Sequence, residues 1–311
     1  MRVLETTGIH STITRRPDGT NPGTPRVEPE DSTKQLLSRW MGVALVAGLT
    51  LALYASTLRS LASDWLNDPG ASYGFLVPPL ALYIAYARRA RTLATPASSD
   101  RRGLLVIVAA CVVFLVGKLA AEFFVTRFSF VVLITGLAWT FWGLARTRTL
   151  GFPLILLTTM IPLPTILYNK IAVPLQLLAS QTAATVVQFF GKSIYQEGNI
   201  LQLPNTTLGV AEACSGLHSL ASLVVVSLVL GFTECRRLRS RVLLIALSIP
   251  LAIAVNVVRV TGTAFLAEYN EEYAMGFYHS FSGWLVFVAG FGLVWILAKG
   301  LRVLLDREAG W

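Results

Sequence analysis

The chain is short of charge, of cysteine and of histidine, and each shortage removes a class of protein. Of its 311 residues, 14% are Asp, Glu, Lys or Arg. A soluble globular chain carries about 25%, so water is not the main solvent here. The three cysteines, Cys111, Cys214 and Cys235, fall in the third apolar run, at the start of the sixth and just after its end, which excludes a disulfide framework. The three histidines are His10, His218 and His279. No spacing of Cys, His and carboxylates suggests a zinc site, and the expectation is no metal and no cofactor. Residues 1–35 hold Pro17, Pro22, Pro25 and Pro29 but lack the apolar core of a secretory signal. They read as a disordered cytoplasmic tail.

What the chain has is apolar length. Hydrophobic residues make up 54% and the mean hydropathy is +0.62. The net charge of +9 does not point to nucleic acid, because Lys and Arg cluster between apolar runs rather than along one face. A crossing helix needs roughly 20 apolar residues, and eight runs qualify: Trp40 to Leu58, Tyr73 to Ala87, Gly103 to Ala121, Phe128 to Ala145, Leu150 to Tyr168, Cys214 to Phe232, Val242 to Val258 and His279 to Ala298. The fold class is therefore an all-α polytopic membrane protein with about eight spans and both termini on one side. Its parts are a tail over 1–37, a transmembrane domain over 38–299 and a second tail over 300–311.

Orientation follows from retention of flanking Lys and Arg in the cytoplasm. With both tails inside, twenty of the 26 basic residues are cytoplasmic, including Arg88, Arg89, Arg91, Arg146, Arg148, Arg236, Arg237, Arg239, Arg241, Lys299 and Arg302. Only Arg59, Lys118, Arg127, Lys170, Lys192 and Arg259 lie toward the outside. Segment 171–190 is long enough for a ninth span, which would flip everything after it. Its Gln176, Ser180, Gln181, Thr182, Thr185 and Gln188, with Pro174, favour a helix in the interface instead; Leu175, Leu178, Val186, Phe189 and Phe190 recur at near-helical spacing. Beyond it, the alternation of Ile200, Gln202 and Thr207, Gly209 around Pro204-Asn205 fits a short β-hairpin. Residues 170–213 thus form a small extracytoplasmic subdomain that leads into Cys214.

Three reactive side chains converge on one level of this topology. Cys214, in Glu212-Ala213-Cys214-Ser215-Gly216, stands where a polar loop becomes an apolar helix. Unpaired N–H groups and the dipole at a helix start favour the nucleophilic thiolate. Arg259, on the side that disfavours basic residues and apart from the cytoplasmic basic clusters, has Asn256 one turn earlier on its face and suits an oxyanion or thiolate. His279 would carry the proton. The competing base is His218, at i+4 from Cys214 but one turn deeper in the membrane, and it ranks second.

These residues resemble the exosortase/archaeosortase group of membrane transpeptidases. The resemblance runs from about Trp65 to the last span. It is strongest in Val210-Ala211-Glu212-Ala213-Cys214-Ser215-Gly216-Leu217, then in Asn256-Val257-Val258-Arg259 and in His279 ahead of Gly283-Trp284. Weaker echoes are Ser72-Tyr73-Gly74-Phe75-Leu76-Val77-Pro78, Pro162-Leu163-Pro164 and Glu197-Gly198-Asn199. Tyr73 stands where many members have histidine, and His218 where many have arginine. The resemblance implies a Cys, Arg and His set on Cys214, Arg259 and His279, with Ser215 and Asn256 in support. It also implies substrate proteins with a C-terminal sorting signal: a short motif, a transmembrane helix and a basic end. Cleavage would occur at the outer surface of a bacterial inner membrane, among membrane lipids and without nucleic acid, through a thioester passed to a lipid, sugar, peptide or water. The rival class is a transporter or polysaccharide-export component without covalent chemistry.

Overall fold

A computed structural model describes residues 29–68, 70–204, 206–210, 217–269 and 276–306, leaving aside the side chains of 29–40, 217, 218, 269 and 276–280. The first helix, α1 (Pro29–Asn67), begins inside the segment expected to be a tail. The chain divides into two compact units at Leu53 and Tyr54. In the first unit Met41, Leu45 and Leu49 are exposed, as lipid-facing side chains are.

In the second unit, after a 3₁₀ turn over Ser72–Leu76, come α2 (Val77–Ala87), α3 (Arg89–Ala94), α4 (Arg102–Leu119), α5 (Phe123–Thr149), α6 (Gly151–Thr158) and α7 (Thr165–Phe189). Three strands follow, β1 (Tyr195–Glu197), β2 (Ile200–Gln202) and β3 (Thr207–Gly209), and then α8 (Leu217–Glu234), α9 (Leu238–Tyr269) and α10 (Gly276–Leu305). Among the described residues five helices are long and apolar enough to cross a membrane: Met41–Asn67, Arg102–Leu119, Phe123–Thr149, Leu238–Glu268 and Phe281–Leu305. Two shorter apolar helices, Ser72–Ala87 and Ser219–Glu234, occupy two more of the expected spans. The remaining one, Leu150 to Tyr168, is not a single helix. Pro162 and Pro164 lack the amide hydrogen that a helix requires, and each disfavours the α conformation in the residue before it. Accordingly α6 stops at Thr158, and the helix that resumes at Thr165 is already α7.

Packing follows the logic of a lipid solvent, in which close backbone approach replaces the hydrophobic effect between helices. On α4, Gly103 faces Thr140 of α5, and a side chain at Gly117 would stand 2.8 Å from the Thr126 amide nitrogen. Leu104, Leu105, Val108, Val112 and Leu115 of α4 point outward. The same inversion governs α7. Its buried face is Ala172, Gln176, Ala179, Ser180, Ala183, Ala184 and Val187, while Leu178, Phe189 and Phe190 are exposed. The small and polar residues face protein, and the large apolar ones do not.

Most basic clusters expected on one side of the membrane meet at one end of the second unit. Arg88 and Arg241 lie over the Phe232 ring at 3.9 and 5.2 Å, and Phe152 stacks on that ring at 3.5 Å. Arg146 donates to the carbonyls of Thr92, Leu93 and Thr95. Lys299 and Arg302 of α10 pair with Glu234, which ends α8, at 2.6 and 3.0 Å. Asp306 closes this end, accepting from the Arg236 amide at 2.7 Å, the Arg237 amide at 3.3 Å and the Ser240 hydroxyl at 2.8 Å. It thereby ties the end of α10 to the start of α9.

At the opposite end the expected hairpin is present as β2 and β3, with Ile200 opposite Gly209 and Gln202 opposite Thr207. A third strand, β1, extends it antiparallel. The sheet and α7 enclose a core of Ala183, Val187, Leu201, Leu203 and Val210 that also includes Val260 and Ala264 of α9.

Burial raises the Asp306 carboxyl, but hydrogen bonds from Arg236, Ser240 and Arg237 outweigh it and hold the pKa below the ordinary value. A depressed folded pKa contributes stability above the unfolded value, about 3.9, and that contribution is lost as pH falls through the folded one. Asp306→Asn should therefore lower the thermal midpoint in detergent at pH 7 by the equivalent of about 1 to 3 kcal/mol. The gap to wild type should narrow below about pH 4.

Candidate functional site toward one end of three helices

Helices α8, α9 and α10 pack on one another pairwise, and one apolar layer serves as a reference for height. In it Gly290 of α10 faces Leu223 of α8 and Val255 of α9. Toward the end away from Asp306, a rise of 1.5 Å per residue puts Arg259 about 6 Å above Val255, Leu217 about 9 Å above Leu223, and Gly283 about 10 Å above Gly290. The start of α8, the arginine and this part of α10 are thus nearly level. Arg259 is half-buried, and its guanidinium lies on Gly283: a methyl group there would stand 2.9 Å from Nη2 and 3.1 Å from Cζ. Position 279 is four residues before Gly283 on the same helix, one turn away on the same face.

Among the expected site residues, Arg259 and Asn256 are described with their side chains, and Asn256 is buried at 4% exposure. Positions 218 and 279 lie in the first turns of α8 and α10, with side chains outside the described set. Cys214 and Ser215 lie outside the described residues. One expectation changes. Arg259 is not at the outer end of its helix, because α9 continues ten residues beyond it to Tyr269. With 32 residues, α9 is about 48 Å long against a hydrocarbon core of about 30 Å. This end of α9 packs against the core formed by α7 and the sheet through Val257, Val260, Ala264 and Phe265. That core fixes the chain leading to the cysteine motif as well: Val210 is buried beside Val260, its amide donates to the Asn199 carbonyl at 2.8 Å, and the Asn199 side chain donates back to the Val210 carbonyl at 3.3 Å.

On another flank of α8 lies a cavity of about 550 Å³, within the usual size for a ligand site. Asp64, Asp68, Tyr73, Glu122, Arg127 and the Pro162-Leu163-Pro164 turn line it, and it reaches α8 at Ala221. The turn between α6 and α7 and the first turn of α7, through Thr165, Tyr168 and Asn169, form part of its wall. Arg127, 5% exposed, donates to Asp64 at 2.7 Å and to Ser60 at 2.9 Å, pinning α5 to α1. The Glu122 carboxylate accepts from the Phe124 amide at 2.8 Å and starts α5. Sequence reading missed this cavity. Its signal was present in the echoes around Tyr73 and Pro162-Leu163-Pro164, which are far apart in the chain and share its wall.

A family model described as transmembrane exosortase matches residues 65–296. No curated protein and no solved structure matches the chain.

Removing one member of the Asp64 and Arg127 pair leaves the other short of a partner. Asp64→Asn should cost about 1 to 3 kcal/mol, read as a lower thermal midpoint in detergent. Pairing Asp64→Leu with Arg127→Met should recover part of that loss, since an apolar pair leaves no buried charge unmatched.

Proposed function

Because this chain belongs to the transmembrane exosortase family, we propose that it is a membrane cysteine transpeptidase that cleaves C-terminal sorting signals at the outer face of the bacterial inner membrane. The observation that carries this reading beyond family membership is the seat of Arg259 on α10, level with the start of α8 three residues after Cys214. A cation held there suits either the thiolate or a developing oxyanion.

The chemistry runs in two balanced halves. The Cys214 thiolate attacks the scissile carbonyl carbon, and the electron pair moves to oxygen, where the Arg259 guanidinium meets it. As that pair returns, the C–N bond breaks, and the leaving amine takes a proton from His279. The product is a thioester on Cys214 and a released transmembrane tail. An acceptor amine, hydroxyl or water then gives its proton to His279 and attacks the thioester carbonyl, expelling the thiolate. Ser215 and Asn256 support this set, and His218 is the second-choice base. The substrate helix lies beside the enzyme in the bilayer, so confinement to two dimensions and helix packing do much of the positioning. The 550 Å³ cavity beside α8 is the space for the polar flank of that helix.

Cys214→Ala should abolish the size shift of a co-expressed substrate carrying a sorting tail, and Arg259→Ala and His279→Ala should each approach the same loss, because groups acting as a unit are not additive. Unchanged processing by Cys214→Ala would favour a transport or export role instead. In a Cys111→Ala, Cys235→Ala background, a membrane-impermeant maleimide added from the periplasmic side should label Cys214. Labelling only after the inner membrane is broken would reverse the assigned orientation.

A further inference from the structure

Resting on the role of Arg259 just proposed, we infer that Gly283 is the positioning residue of the site, its missing side chain forming the seat that fixes the Arg259 guanidinium against α10. The contact is close. A β-carbon at position 283 would meet Nη2 at 2.9 Å, Cζ at 3.1 Å and Nε at 3.6 Å of the same guanidinium, and these are its three nearest neighbours. Real β-carbons almost never come nearer than 3.0 Å to such an atom, so any other residue displaces the arginine tip. The other glycines of α10 whose surroundings are described do not share this relation: Gly290 faces the Leu223 and Val255 side chains, and Gly292 and Gly300 have nothing within 4 Å.

Three physical consequences follow. An arginine side chain is rich in rotamers, and ordering it costs conformational entropy; a flat seat of backbone restricts where the planar guanidinium can lie. The seat also sets the height of the cation, one helical turn from position 279 on the same face of α10. Because the seat belongs to α10 while the arginine belongs to α9, the relation between the cation and the proton carrier depends on how these two helices pack. In the sequence, Gly283 stands out only as part of the stretch after His279, and nothing there says which side chain packs on it.

Since the atom displaced is the far end of a flexible side chain, Gly283→Ala should leave folding intact and shift the guanidinium by a few tenths of an ångström or more. The test reads the thiol rather than an unidentified substrate. The chain has three cysteines, so Cys111→Ala with Cys235→Ala leaves Cys214 alone. In that full-length background the rate of alkylation by N-ethylmaleimide is measured from pH 5 to 10 in wild type, Gly283→Ala, Gly283→Ser, Gly292→Ala and Arg259→Ala. The expected result is a Cys214 midpoint below the free-thiol value of about 8.5, raised by Arg259→Ala. Gly283→Ala and Gly283→Ser should raise it in the same direction by a smaller amount, and Gly292→Ala should leave it in place. In the Arg259→Ala background Gly283→Ala should add nothing, because the group that it displaces is gone; a merely structural glycine would give the same further change in both backgrounds. A midpoint moved by Arg259→Ala but unmoved by either Gly283 variant overturns the seat and leaves the proposed function standing. A midpoint that Arg259→Ala also leaves unmoved overturns both the seat and the role given to Arg259.

Discussion

The solvent inside a bilayer offers neither hydrogen bonds nor a hydrophobic drive, and this constraint organises the whole chain. Helices must satisfy their own backbones, and they adhere by close packing of small residues rather than by hiding large ones. Gly103 and Gly117 bring α4 against α5, while the leucines and valines of α4 face away. On α7 the buried stripe is alanine, serine and glutamine. Polar side chains that would be orphaned in lipid are drawn to the two ends, where they bind the helices together. Asp306 and Glu234 do this at one end, and Arg127 with Asp64 does so at the other.

Irregular backbone is tolerated under that constraint only where protein or a water-filled space surrounds it. The break after α6 is such a place. α6 ends after eight residues, ahead of two prolines, and the turn that holds them lines a cavity walled by four segments distant in sequence. The opposite case is α9, which exceeds a bilayer crossing. Its surplus turns become one wall of the core under the sheet, and so Val210, which opens the cysteine motif, shares that core with the helix that carries Arg259. The site is thus framed by one helix that is too short and another that is too long.

How much of this was legible depends on whether local chemistry or packing decides the feature. The hairpin at Ile200 and Thr207 was readable because alternation and a Pro-Asn turn are local. The strand β1 was not, since three residues paired on an existing edge leave no pattern of their own. The expected span Leu150 to Tyr168 failed because apolar content was weighed above Pro162 and Pro164. The amphipathic reading of 171–190 found a helix, whose apolar Leu178 and Phe189 are exposed while its small and polar residues face protein.

By itself the sequence determined that this is a multi-pass helical membrane protein of the exosortase family, because long apolar runs and a contiguous cysteine motif need no neighbours to be recognised. It also singled out Arg259, whose place at the end of an apolar run and away from the basic clusters is a property of the chain alone. What it could not decide is where that arginine points. Only the tertiary structure placed the guanidinium on Gly283, since the absence of a side chain leaves no mark in hydropathy and becomes a feature only when another helix packs against it.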